Sequence, residues 1–218
     1  TISESAPGVT PQIKTSAILT VMDTAPPLGS FRPPYTNTSK ILFNKNQLDY
    51  SLLPKLDPVA STPSLSTVER YFERPWIDHI PDWFGRYHHP KDNMPDYGSD
   101  IAIKTNEGAL MLTVNFPDAQ KETLLLRYVQ LGIDLYGLAL DGGDWGASGG
   151  HMVGRKLPIA FTAMMLNDNP MKSLVREATE DLFDENGGSY YSSVNGNVLY
   201  GQTRTCISED GYWNNIVN

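Results

Sequence analysis

The sequence predicts a mainly α-helical protein with extended chain at both ends. Three observations carry that reading. Thirteen of the sixteen prolines lie at or before Pro95, so the first 65 residues cannot be mainly helical. From Ser66 to about Phe183 the apolar residues recur at helical spacing. After Gly187-Gly188 the pattern changes to short runs joined by Asn195-Gly196, a strong hairpin signal. The expected organisation is an extended proline-rich arm with one strand (1–65), a helical region (66–186) and a β-hairpin that starts a following region (187–218).

Each element follows from its local chemistry. Ile13, Ala17, Leu19 and Val21 partly alternate, which predicts a strand within Gln12 to Met22. Pro26-Pro27, Pro33-Pro34 and Asp57-Pro58 then impose extended or turning backbone. Phe31, Tyr35, Phe43 and Tyr50 make this stretch too apolar for a free linker, so we expect an ordered arm laid across a partner surface. Ser66 and Glu69 have the spacing of a capping box for a helix over Thr67–Glu73, which ends at Arg74-Pro75. Further helices are expected over 97–113, 118–140, 155–167 and 170–183, packed antiparallel around one core. The 118–140 segment is apolar on nearly every side, which marks a helix buried among others.

Composition narrows the function. Lys+Arg 17 against Asp+Glu 25 gives a net charge of −8, the wrong sign for a generic nucleic-acid or anionic-membrane binder. The single cysteine, Cys206, forms neither an internal disulfide nor a Cys-rich zinc site. The longest greasy stretch, Leu124 to Leu140, is interrupted by Arg127, Gln130 and Asp134, and no apolar run reaches the roughly 18 residues of a membrane span. Low lysine with many Trp, Tyr, Asn, Ser and Thr fits a secreted or cell-envelope protein as well as an acidic cytosolic one. The first residue is Thr1, so upstream sequence is expected to be missing.

Two segments concentrate chemistry. In the first, six glycines between Gly142 and Gly154 lead to His151, Arg155 and Lys156 at a helix start. Converging backbone amides, a planar guanidinium and an ammonium make an anion site. Trp145 lies in the same loop. The spacing from Gly149 approaches a P-loop, but Arg155 and Leu157 replace its Lys and its Ser or Thr, and no strand precedes it. The plainer alternative is a helix connection that needs positive φ angles.

The second segment runs from Arg74 to Tyr97 and mixes Trp76, Trp83, Tyr87 and Tyr97 with Arg86, His88, His89 and Asn93. Aromatic rings stack on sugar faces, while planar polar groups hold hydroxyls and carboxylates. The alternative is hydrophobic filling of an irregular loop. His79, His88 and His89 have no metal-ligand spacing such as H-E-x-x-H, so no metal and no cofactor are expected. Tyrosine and histidine suit proton removal alpha to a uronic carboxylate, the logic of β-elimination. The catalytic candidates are Tyr97, His151, His88 and His89; the substrate-binding candidates are Arg155, Lys156, Asn93, Trp76, Trp145 and Arg86.

Phe31-Arg-Pro-Pro-Tyr35, Phe72-Glu-Arg-Pro-Trp76, Asn93-Met-Pro-Asp-Tyr97 and Gly150-His151-Met-Val-Gly-Arg155-Lys156 together resemble large uncharacterised secreted bacterial proteins. Their central part looks like the helical (α/α) toroid of polysaccharide lyases. The resemblance spans about residues 15 to 205 and implies a partial (α/α)-toroid-like region that acts on acidic polysaccharide. A complete toroid needs about 300 residues, so the chain is expected to be part of a longer polypeptide. The competing expectation is a non-catalytic extracellular assembly subunit whose arm and terminal strands dock on neighbouring chains.

Overall fold

A computed structural model of the chain describes residues 2–3, 13–15, 19–33, 41–76, 78, 94–95, 97–146, 150–191 and 198–200. The expected roles of Arg86, His88, His89 and Asn93 lie outside the described residues, as do Tyr35, His79, Cys206 and the Asn195-Gly196 turn. The protein is mainly helical, as its sequence predicts.

The described elements are β1 (Ile2–Ser3), β2 (Ile13–Thr15), β3 (Ser30–Phe31), β4 (Phe43–Asn44), α1 (Leu65–Tyr71), α2 (Gly98–Thr113), α3 (Asp118–Leu140), α4 (Lys156–Met165), α5 (Asn169–Glu177), β5 (Ser189–Tyr191) and β6 (Val198–Tyr200). The strands pair antiparallel as β1-β2, β3-β4 and β5-β6. Three helix boundaries differ from the expectation for local reasons. The first helix is capped by Ser64, whose hydroxyl accepts from the Thr67 amide, so Ser66 lies inside the helix and forms no capping box. Helix α4 starts after Arg155 and ends at Met165, because Asn167 turns left-handed at φ 52°. Helix α5 stops at Glu177, where Ala178 is extended. Residues 178–183 instead bring Phe183 alongside Trp145, with Trp145 N–H donating to Leu182 O at 2.8 Å and Asp184 N–H to Trp145 O at 2.7 Å.

Helix α3 is the central element and packs most extensively on α4, with α1 and α2 also against it. Leu124, Leu125, Tyr128, Val129, Ile133 and Leu135 are all buried, which the apolar pattern on every side of this helix predicts. Close approach of α4 requires Gly132: any Cβ there would run into Pro158 O and the Thr162 side chain. The buried ammonium of Lys121 closes the end of α2, donating to Leu112 O at 2.9 Å and Val114 O at 3.1 Å. Burial pushes the pKa of that amine down, an effect partly offset by Asp118.

The proline-rich stretch is tied to these helices where it is described. Phe31, Phe43, Leu48 and Leu53 are part of the buried core. Asp49 N–H donates to Met165 O at 2.9 Å, and Leu56 pairs with the end of α2 through Leu56 N–H to Thr113 O at 2.9 Å and Asn115 N–H to Leu56 O at 2.8 Å. Phe31, Phe43, Leu48 and Leu53 are thus covered by their own chain. Leu19, Val21 and Leu28, by contrast, are 88%, 76% and 97% exposed.

Candidate functional site

The glycine loop leaves α3 at Asp141 and enters α4 at Lys156. Gly142, Gly150 and Gly154 have φ of 88°, 85° and 100°, the left-handed backbone that glycine takes without steric cost. Two close approaches then fix its position. A Cβ on Gly154 would lie 2.6 Å from the Ala102 amide nitrogen of α2, and one on Gly98 would collide with the carbonyls of Gly150 and His151. The first turn of α2 is thereby pressed against the loop, and Tyr97, its N-cap residue, arrives beside His151.

Tyr97 and His151 meet edge to face, with ring centroids 4.7 Å apart and planes at 86°. Among the described residues, the buried Nδ1 of His151 has no hydrogen-bond partner. These two sequence candidates are thus brought together. Arg155 is beside them but committed. It is buried, and its Nε and Nη2 donate to the two carboxylate oxygens of Asp78 at 2.8 and 3.3 Å. Its Nη1 donates to His151 O at 2.9 Å and Val153 O at 3.0 Å. A substrate carboxylate at this guanidinium would have to displace Asp78, so the chemistry of Arg155 here is to hold the loop.

The anion-binding capacity of the α4 N-terminus is likewise taken up within the chain. Glu185 Oε1 accepts from Gly154 N–H at 2.8 Å and from Lys156 N–H at 3.3 Å, placing a carboxylate at the positive end of the helix dipole. The Lys156 ammonium bonds the Asn186 side-chain oxygen. Burial lowers the pKa of Lys156, with Glu185 opposing the shift.

Both described tryptophans are buried. Trp145 is buried and stacked on Phe183, centroids 5.8 Å apart and planes 9° from parallel. Trp76 is buried against Phe72 at 5.5 Å and donates its indole N–H to Tyr71 O at 3.0 Å. Both fill the core, the alternative that the loop composition had left open.

Sequence reasoning did not single out Asp78 or Glu185. Each completes the site from a distance of 77 or about 30 positions along the chain, and nothing in local spacing marks such a partner. No group of three or more His, Cys, Asp or Glu side chains among the described residues forms a metal site. No helix among them is long and apolar enough to cross a membrane. No protein family, curated protein or solved structure matches the chain.

Proposed function

We propose that this chain is the toroid-like helical part of a secreted or envelope glycan-processing protein, which acts on acidic polysaccharide by β-elimination. The observation that carries the reading is the Tyr97–His151 pair, two proton-handling groups from separate elements held at 4.7 Å. In this reaction a base removes the proton alpha to the uronic carboxylate. The electron pair forms the C=C bond as the glycosidic C–O bond breaks, and the leaving oxygen takes up a proton. Tyr97 and His151 serve as base and acid. Arg155, anchored by Asp78, positions the His151 backbone. Under this proposal Arg86 or Asn93 neutralises the sugar carboxylate, and His88 and His89 are the further acid–base candidates.

The test is release of unsaturated product from polyuronates or sulfated glycans, read near about 235 nm, where Tyr97→Phe and His151→Ala should each remove a factor of about 10² or more. Unchanged turnover in both folded variants discards these roles. Absence of product from every acidic glycan discards the reaction.

A second reading, an extracellular assembly subunit, is favoured by the exposed Leu19, Val21 and Leu28. Under it, the triple change of these residues to Ser should shift sedimentation from an oligomer to a monomer. A wild-type chain that sediments as a monomer at all concentrations excludes it.

A further inference from the structure

A cavity of about 240 Å³ lies between α3 and the chain just after α1. Phe72, Trp76, Leu126 and Leu131 give it apolar walls, and Gln130 and Asp134 stand among them about one turn apart on α3. Trp76 spends its indole N–H on Tyr71 O, so its part of the wall is apolar too. The two polar heads are held together. Gln130 Nε2 donates to Asp134 Oδ1 at 2.6 Å and to Arg32 O at 3.0 Å. Those bonds use both amide hydrogens and fix which way round the amide lies.

Two oxygens of this pair are left over. Among the described residues, neither Gln130 Oε1 nor Asp134 Oδ2 has a hydrogen-bond partner, and neither is sealed from the surface as Nδ1 of His151 is. A polar atom set among apolar walls calls for such a partner. Gln130 Oε1 can only accept, whereas Asp134 Oδ2 accepts when ionised and donates when protonated. A hydroxyl group both donates and accepts, so it suits the pair in either protonation state of the acid. A carboxylate has no hydrogen to offer Gln130, and an ammonium cannot accept from Asp134. Each would also bring a charge that the apolar walls strip of water. Glu73, Arg74 and Arg127 line the cavity with charges of both signs, so its lining selects no net charge. The volume falls below the roughly 300 Å³ at which pockets begin to take drug-sized molecules, so the ligand is small.

We propose that this cavity binds a compact neutral alcohol, with its hydroxyl hydrogen-bonded at the Gln130–Asp134 pair and its apolar body against Phe72, Trp76, Leu126 and Leu131. The site does not depend on the β-elimination reading, since it shares none of Tyr97, His151 or Arg155.

Heteronuclear NMR titration of the 218-residue chain with benzyl alcohol, toluene, benzylamine and benzoate tests it. Benzyl alcohol should bind in the millimolar range or tighter and shift the Trp76 indole N–H and the Gln130 side-chain amide. Toluene, which has the same ring and no hydroxyl, should bind about three to ten times more weakly, the worth of one neutral hydrogen bond. The amine and the carboxylate should bind more weakly than the alcohol. Replacing both heads at once, by Gln130→Met with Asp134→Leu, should erase the advantage of the alcohol over toluene while toluene still binds. The same spectra show whether that variant is folded, and the wild-type series decides the matter without it. No benzyl alcohol binding, equal or tighter binding of any of the other three ligands, or an advantage that survives in the folded double variant overturns the proposal.

Discussion

Asp78 and Arg155, separated by 77 positions, close a buried ion pair at 2.8 Å, with side chains only 7% and 6% exposed. The pair joins the segment after α1 to the start of α4, and through Arg155 it also holds the carbonyls of His151 and Val153. A buried pair is stabilising only while both partners remain, because either one alone is an uncompensated charge in a poorly solvated place. Asp78→Ala should therefore cost about 3–5 kcal/mol in denaturant unfolding. Removing both charges with Asp78→Leu and Arg155→Met should recover much of that loss. A single change that costs less than about 1 kcal/mol would show the pair to be solvated.

Leu131 and Leu135 test the core. They are 4% and 1% exposed on the central helix, so truncation to Ala removes contacts that water does not replace. Each should lower the unfolding free energy by about 2–5 kcal/mol. A loss under about half a kcal/mol at both positions is incompatible with this packing.

Gly132 tests the α3–α4 contact from the opposite direction. Adding one methyl at this position drives it into Pro158 O and the Thr162 side chain. Although alanine is the better helix former, Gly132→Ala should destabilise by about 1–3 kcal/mol as α4 is forced away. A stabilised variant would mean that the helices stand further apart than described.

Asp134 predicts how stability depends on pH. Its pKa rises from 3.8 to about 8 on folding, because burial disfavours the ionised form. Between these values the folded chain binds a proton that the unfolded chain has released, so this group's contribution is complete below the lower value and is lost progressively as pH rises through the upper one. Thermal unfolding from pH 5 to pH 8 should show that decline, and Asp134→Asn should reduce its slope. Equal slopes in the two proteins would place the ionisation elsewhere.

Much of the helical scaffold is readable from local pattern. Helices 98–113 and 118–140 coincide with the predicted segments to within a residue, because long periodic runs bounded by proline leave little choice of conformation. The 170–183 segment was less legible: its helical periodicity continues past Glu177, but Phe183 gains a Trp145 neighbour that a continued helix would deny it. The capping residue of the first helix was misplaced by two positions. Ser66 and Glu69 have capping-box spacing, but it is Ser64, with extended backbone, whose hydroxyl accepts from the Thr67 amide and caps the helix.

Local sequence by itself determined the elements and the chemical types gathered in the glycine loop. Periodicity, proline and glycine act through neighbours a few positions away, and that range suffices to set helix, turn and break. Tertiary structure alone decided what those groups do. It put Tyr97 against His151, engaged Arg155 with Asp78, filled the α4 N-terminus with Glu185, turned Trp76 and Trp145 into core, and left Asp134 uncharged beside a cavity. The availability of a charge or a ring face depends on desolvation and on partners distant in sequence, and both arise only when the helices pack.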